Sequence, residues 1–345
     1  MGMSFSNSKG DIIKKIWIIL EGKKVESGRI EVLKLADILS NLQRFITDYG
    51  RAKGVKRLEY LKLYLSEVKK GSIRIALEPP RVLHEPFPLK ALNAIKNIAE
   101  SLDNIDEVKT YLETEFKANI EEIIKELKRL KAIWSEDSIT VKLGVGHNRP
   151  DEIFVLDPKK REKVDGLIRE YIKLVSQTVK GAIVEWKFYG QKRHFEIITT
   201  GGERIRCYYN HLEFPELEDV IYEHIKRMPV EVVGHLKKVG RKKIMEDVLE
   251  IRSWTEEELT GIFAGYKLKK PIKLNVEYDN FDNVWCLCNE ELNLFGCGQN
   301  LEEAKKDLEV VFEALIEEYA KESDDILSEK SLELKKKLLE YVEVS

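Results

Sequence analysis

The sequence predicts an α+β multidomain protein: an N-terminal α+β domain with long helices, a central five-stranded β-barrel and a C-terminal β-β-β-α module. Three observations carry this. Apolar residues recur at helical spacing over long stretches before residue 178, as in Leu35, Ile38, Leu42, Phe45 and Ile46. Five period-two segments with one helix among them crowd into residues 179–254. Residues 271–322 alternate as three short strands and then turn helical. The domains are therefore placed at 11–178, 179–254 and 271–345.

In the first domain, Met1 to Lys9 is small and polar and reads as a loose terminus. A strand is expected around Ile16 to Leu20. Turns follow at Glu21-Gly22 and Ser27-Gly28, then a helix from Ile30 to Gly50. Tyr60 to Leu65 and Ser72 to Leu77 flank the turn Lys69-Lys70-Gly71 as a hairpin. Pro88 can open the next helix at its first position. Asn104 and Glu107 form a capping box for a long helix running to about Trp134. Ile139, Val141 and Leu143 alternate as a strand, and Ile153 to Leu156 form another. The loop Gly144 to Asp151 between them reads as a hairpin connection. It lacks the strand–glycine loop–helix context of a phosphate site. Asp157 caps a last helix through Val164, Leu167, Ile168, Tyr171 and Val175.

The central strands are Ala182 to Tyr189, Phe195 to Thr200, Arg204 to Tyr209, Glu231 to Lys237 and Lys243 to Ile251. A helix lies near Pro215 to Arg227. Five strands with the helix between the third and fourth resemble the OB-fold by topology. That fold often binds oligonucleotides on strands two and three and at the loops after strands one and four. Val184, Trp186 and Phe188, with Phe195, Ile197, Ile205, Cys207 and Tyr209, are expected in the barrel core. The outer face presents Glu185, Lys187, Tyr189, His194, Glu196, Arg204, Arg206 and Tyr208. Two readings of that face stand side by side. Its Arg and Tyr grip phosphate and stack bases, or its Glu and Arg pair across strands in solvent. The tip Lys237, Lys238, Arg241, Lys242 and Lys243 adds five cations at the turn between strands four and five. The candidate nucleic-acid residues are thus Lys187, Tyr189, Arg204, Arg206, Tyr208, Lys237, Lys238, Arg241, Lys242 and Lys243, with single-stranded nucleic acid as the ligand. Thr255 to Leu259 is expected to start a short linking helix, with Thr255 as N-cap and Glu258 at its third position.

In the last domain Ile272, Leu274, Val276 and Tyr278 alternate with polar residues, Asp279 to Asn283 form a turn, and Val284 to Cys288 and Leu294-Phe295 are further strands. Asn300 and Glu303 cap a helix whose stripe runs Leu301, Ala304, Leu308, Val311, Phe312, Leu315 and Tyr319. Ser328 to Val344 reads as another helix. The acidic turn Asp279 to Asp282, the Cys288 close, the turn Leu294-Phe295-Gly296-Cys297-Gly298 and the helix start Leu301-Glu302-Glu303-Ala304 resemble the HicB-like antitoxin module over about one sixth of the chain. That resemblance implies a degenerate ribonuclease-H-like fold that holds a protein partner, a small basic toxin-like ribonuclease. The residues after 322 depart from the family, which usually returns to a fourth strand.

The chain has a formal net charge of −3, from 58 basic and 61 acidic residues, so any nucleic-acid or membrane contact must come from a local patch. Its Lys, Glu and Ile content resembles that of hyperthermophile proteins. No secretion signal or spanning segment is evident, and a cytoplasmic homo-oligomer without membrane contact is expected. Cys207, Cys286, Cys288 and Cys297 form no C-x-x-C pair and read as buried small apolar residues, not metal ligands. His194, His211, His224 and His235 are scattered, and none stands with a Ser, Cys or carboxylate at a relay spacing. No catalytic residue, metal or cofactor is assigned, and the chain is read as a non-enzymatic binding protein.

Overall fold

The computed structural model describes residues 14–22, 25, 29–69, 73–80, 86–134, 139–189, 193–211, 214–225 and 228–343. The expected loose terminus at Met1 to Lys9, the turn at Ser27-Gly28 and the hairpin turn at Lys70-Gly71 lie outside them. The chain divides into two compact units, residues 1–174 and 175–345.

The first unit is α+β. Its elements are β1 (Lys15–Glu21), α1 (Val32–Ala52), β2 (Tyr64–Lys69), β3 (Ile73–Glu78), α2 (Phe87–Ser101), α3 (Ile105–Glu115), α4 (Ile120–Ile133), β4 (Thr140–Gly146), β5 (Glu152–Leu156) and α5 (Arg161–Val175). The strands make an antiparallel sheet in the order β2-β3-β1-β4-β5. Ile16, Ile18 and Leu20 of the central strand are fully buried.

Two expectations fail here for local reasons. The stretch expected as a strand from Tyr60 begins as a 3-10 turn, Leu58–Leu61. The Gln43 side chain of α1 donates to the Leu61 carbonyl at 2.8 Å and accepts from the Leu63 N–H at 2.8 Å. Those backbone groups therefore need no strand partner. The long helix to Trp134 is two helices. Lys117 and Ala118 both take positive φ, 53°, and the Asn119 side chain accepts from the Glu122 N–H at 3.3 Å. Asn119-Ile120-Glu121-Glu122 thus repeats the cap pattern of Asn104 to Glu107. Of the expected loop Gly144 to Asp151, Gly144 to Gly146 belong to β4, and only His147 to Asp151 form the hairpin connection to β5, which pairs directly with β4. A Cβ on Gly146 would stand 1.9 Å from the Arg149 carbonyl oxygen, so only glycine fits.

The second unit begins with β6 (Gln177–Lys187), β7 (His194–Thr199), β8 (Arg204–Tyr208), α6 (Glu216–His224), β9 (Pro229–Val239) and β10 (Lys242–Ser253). The five strands close into a barrel in the order β10-β8-β7-β6-β9. The closing pair, β8 with β10, is parallel, and the other pairs are antiparallel. Phe195, Ile197, Ile205, Cys207 and Tyr209 fill the interior as their alternation predicts.

The first barrel strand does not follow its alternation. A register shift between Ile183 and Glu185 inserts an extra residue. Ile183 and Trp186 therefore pack with the barrel core, while Val184 packs with the core of the C-terminal sheet. Phe188 lies beyond the strand and is exposed. The expectation that Val184, Trp186 and Phe188 share one inward face is corrected accordingly.

The chain continues as β11 (Glu256–Leu259), β12 (Ile262–Phe263), β13 (Tyr266–Lys267), β14 (Ile272–Asp279), β15 (Val284–Asn289), β16 (Leu294–Gly298), α7 (Leu301–Leu315) and α8 (Glu329–Tyr341). The expected linking helix at Thr255 to Leu259 is a strand: β11 pairs antiparallel with β14, and the Val276 N–H donates to the Thr255 carbonyl at 2.8 Å. Burial of Trp254 and Leu259 decides against the helix that the three glutamates favour locally. The C-terminal sheet is thus four-stranded, β11-β14-β15-β16. Asn300 caps α7 as expected, accepting from the Glu303 N–H at 2.9 Å. Its apolar stripe packs Ala304, Leu308 and Phe312 into a cluster that also takes in Ala182, Ile198 and Trp254. Barrel and sheet therefore share one core.

Cys286 and Cys297 stand directly opposite on β15 and β16, with Cα atoms 4.2 Å apart, and are joined by a disulfide. They are not the unpaired apolar residues that their spacing suggests. The four-residue turn after Asn289 sets this pairing. Among the described residues no group of three or more His, Cys, Asp or Glu side chains is placed to share a metal ion. No helix there is long and apolar enough to cross a membrane.

Candidate functional site

The C-terminal sheet has two unlike faces because its strands alternate. Ile272, Leu274, Val276 and Tyr278 of β14 point into the core with Trp285, Leu287 and Leu294. Their neighbours Lys273, Asn275, Glu277 and Asp279 are exposed on the opposite face. Strand register extends that face sideways. Glu256, Asn275, Cys288 and Phe295 form one row across all four strands, and Glu277, Cys286 and Cys297 form the next. Phe295 is 58 % exposed, and Phe281 in the β14–β15 turn is 96 % exposed. That turn is held by Asp279, whose carboxylate accepts the Phe281 N–H at 2.7 Å and the Asp282 N–H at 3.3 Å.

The segment that carries this face is acidic, although Lys273 stands opposite Glu258 on it. Residues 255–345 carry 22 acidic against 11 basic side chains, while residues 1–254 carry 39 against 47. Glu256, Glu258 and Glu277 have no ion-pair partner among the described residues. The free edge of β16 is partly closed: the Cys297 N–H donates to the Asp307 carboxylate of α7 at 2.9 Å. A carboxylate there disfavours addition of a further strand. The face, more than the edge, is open to a partner.

The barrel cations are largely neutralised. Lys187 pairs with Glu185 at 3.0 Å, and that contact holds the Glu185 carboxyl below its ordinary value. Arg206 grips Glu196 through two nitrogens at 2.8 and 3.0 Å, and Arg204 reaches the same carboxylate at 4.0 Å. Glu196 holds the Arg206 guanidinium above its ordinary value. Lys237 pairs with Glu246 at 3.0 Å and Lys243 with Glu203 at 2.7 Å. This is the cross-strand pairing reading of the face. Lys238, Arg241 and Lys242 at the tip have no ion-pair partner among the described residues. Tyr208 lies against His194, ring centroids 5.4 Å apart, and Tyr189 is 71 % exposed beside Phe188. Lys187, His194 and Tyr208 form one row across β6, β7 and β8.

Compared with known proteins, the chain matches no family model, no curated protein and no solved structure.

One pairing escaped the sequence. His224, at the end of α6, places Nε2 2.7 Å from Ser253 Oγ at the end of β10. The two are 29 residues apart, and only the packing of α6 on the barrel joins them.

Proposed function

We propose that this chain is a binding protein that holds a small basic protein on the open face of its C-terminal sheet. The observation that carries this is the unpaired acidic set Glu256, Glu258 and Glu277 on β11 and β14, which shares a helix-free face with exposed Phe295 on the edge strand β16. Charge of one sign steers a basic partner, and an aromatic side chain at the far edge of the face supplies an anchor. The likeness of residues 271–322 to the HicB-like module supports a toxin-like ribonuclease as that partner. Triple replacement of Glu256, Glu258 and Glu277 by Lys is expected to weaken the complex at least about tenfold, about 1.4 kcal/mol. Phe295→Ala should weaken it independently of salt. The check is recovery of a basic protein in stoichiometric amount on tagged full-length chain, followed by titration of the variants. Equal binding by wild type and the triple variant sinks the proposal.

A second reading is supported by the barrel. Its strand order, parallel closure and helix placement favour the OB-like reading. Tyr189, Tyr208 and the unpaired Lys238, Arg241 and Lys242 offer stacking rings and cations to a single strand. Because most other cations are already ion-paired, the expected binding is weak and steeply salt-dependent. Fluorescence anisotropy with a labelled oligonucleotide should show a low-salt signal lost on neutralising Lys238, Arg241 and Lys242. No signal at low salt removes this reading.

A further inference from the structure

We propose that Ser253 and His224 form a nucleophilic dyad that takes an acyl group from small activated esters. This goes beyond the binding role, which uses other residues. The His224 ring is buried, and its Nδ1 lies 2.8 Å from the Val220 carbonyl oxygen one turn earlier in α6. A carbonyl can only accept, so Nδ1 of the neutral ring carries the proton. Nε2 then holds a lone pair 2.7 Å from Ser253 Oγ, and the serine hydroxyl donates to it. Ser253 is exposed, whereas its base is buried.

This arrangement has the three parts that activate a serine: a nucleophile, a base within hydrogen-bond reach, and a third group that fixes the base's tautomer. Here a helix carbonyl takes the orienting place that a carboxylate holds in the familiar triads. A helix-to-barrel clasp would need only a hydrogen bond of either direction. The direction found here is the one that raises the reactivity of the hydroxyl.

The chemistry is as follows. Ser253 Oγ bonds to the ester carbonyl carbon as its proton passes to His224 Nε2. The bond to the leaving alcohol then breaks, and that oxygen takes the proton from Nε2. Water attacks the acyl-serine by the same route, releases the carboxylic acid and restores the serine. The neighbouring Trp254 N–H donates to the Pro229 carbonyl at 2.9 Å and is not free to stabilise an oxyanion. The acceleration expected is therefore that of general-base help alone, roughly 10²–10⁴-fold.

The test uses the full chain with p-nitrophenyl acetate and with diisopropyl fluorophosphate, read by intact mass and peptide mapping. The expected result is a single adduct on Ser253 and a burst of p-nitrophenol. Ser253→Ala should lose both. His224→Gln, which keeps a polar side chain without the base, should slow labelling roughly 10²–10⁴-fold. Absence of an adduct on Ser253 of the wild type overturns the proposal, as do adducts scattered over lysines. Labelling of His224→Gln at the wild-type rate overturns it too. If His224→Gln does not fold, wild-type mapping and Ser253→Ala decide.

Discussion

Replacing Glu126 by Gln is expected to stabilise the N-terminal unit above neutral pH and to flatten its pH dependence. Glu126 lies on the face of α4 that packs against α1, and its side chain is 1 % exposed. Neither carboxylate oxygen has a hydrogen-bond partner among the described residues. Burial pushes its carboxyl up to about 9, helped by repulsion from Asp48. Asp48 itself is surrounded by cations, with Lys125 at 3.1 Å and Arg51 and Arg129 at 3.8 Å. Glu126 thus stays protonated in the folded chain through neutral pH. The unfolded chain releases this proton near the ordinary carboxylate range. Between those two values the folded state holds one more proton than the unfolded state. Stability therefore falls as pH rises, by about 1.4 kcal/mol per pH unit. It is fully present below the ordinary carboxylate range and fully lost above about 9. Between pH 6 and pH 8 the wild type should lose about 3 kcal/mol by this route, and the Gln variant none. The free energy of exchange of the slowest α4 amides, measured at both pH values, reads this directly. Equal slopes in both proteins would show that Glu126 is satisfied in solution.

What the sequence made legible was what one segment decides by itself. The caps at Asn104 and Asn300 rest on residues three apart, and both form. The alternation of β14 and the stripe of α7 are likewise local patterns that packing reinforces. The failures sit where a distant group wins. Gln43 occupies the backbone of Leu61 and Leu63. Trp254 and Leu259, buried in a shared core, turn a run of glutamates into β11. The extra residue in β6 sends Val184 to one core and Trp186 to another. No period-two count shows a bulge. The Cys286–Cys297 pair was within reach: a four-residue turn from Glu290 to Asn293 fixes the hairpin register and places them opposite. The His224–Ser253 contact was not, because a helix and a strand end meet there only after the barrel closes. The outer-face cations can be named from the alternation of single strands, but the Arg206–Glu196 and Lys237–Glu246 pairs depend on cross-strand register.

Gly296→Ala is expected to destabilise the C-terminal module by about 3 kcal/mol, the upper part of the range for overpacked cores. Gly296 is the β16 residue beneath α7. A Cβ there would lie 2.4 Å from the Leu308 backbone nitrogen and 2.7 Å from both the Ala304 carbonyl oxygen and Leu308 Cα. All three are helix backbone, so no rotamer change relieves the clash. The helix must lift, and lifting it loosens Ala304, Leu308 and Phe312 from the sheet. Gly298 holds the same contact one step on, 2.5 Å from the Ala304 nitrogen. Gly261 makes a useful contrast: an added Cβ meets nothing within 4 Å, and only its positive φ of 77° resists substitution. Its Ala variant should lose about 1–2 kcal/mol. Denaturant unfolding of both variants, with exchange of the α7 amides, separates packing from backbone strain. Unchanged α7 protection in Gly296→Ala would mean that helix and sheet are less tightly apposed. The comparison also bears on the acidic face. Gly296→Ala should disturb binding only by loosening the sheet from behind, with a loss of stability that tracks the loss of affinity. Lysine at Glu256, Glu258 and Glu277 should weaken binding at least about tenfold while the fold keeps its stability, because those side chains are exposed on the face away from the core. A partner lost in the first way and retained in the second would place its contacts on the helix side of the module.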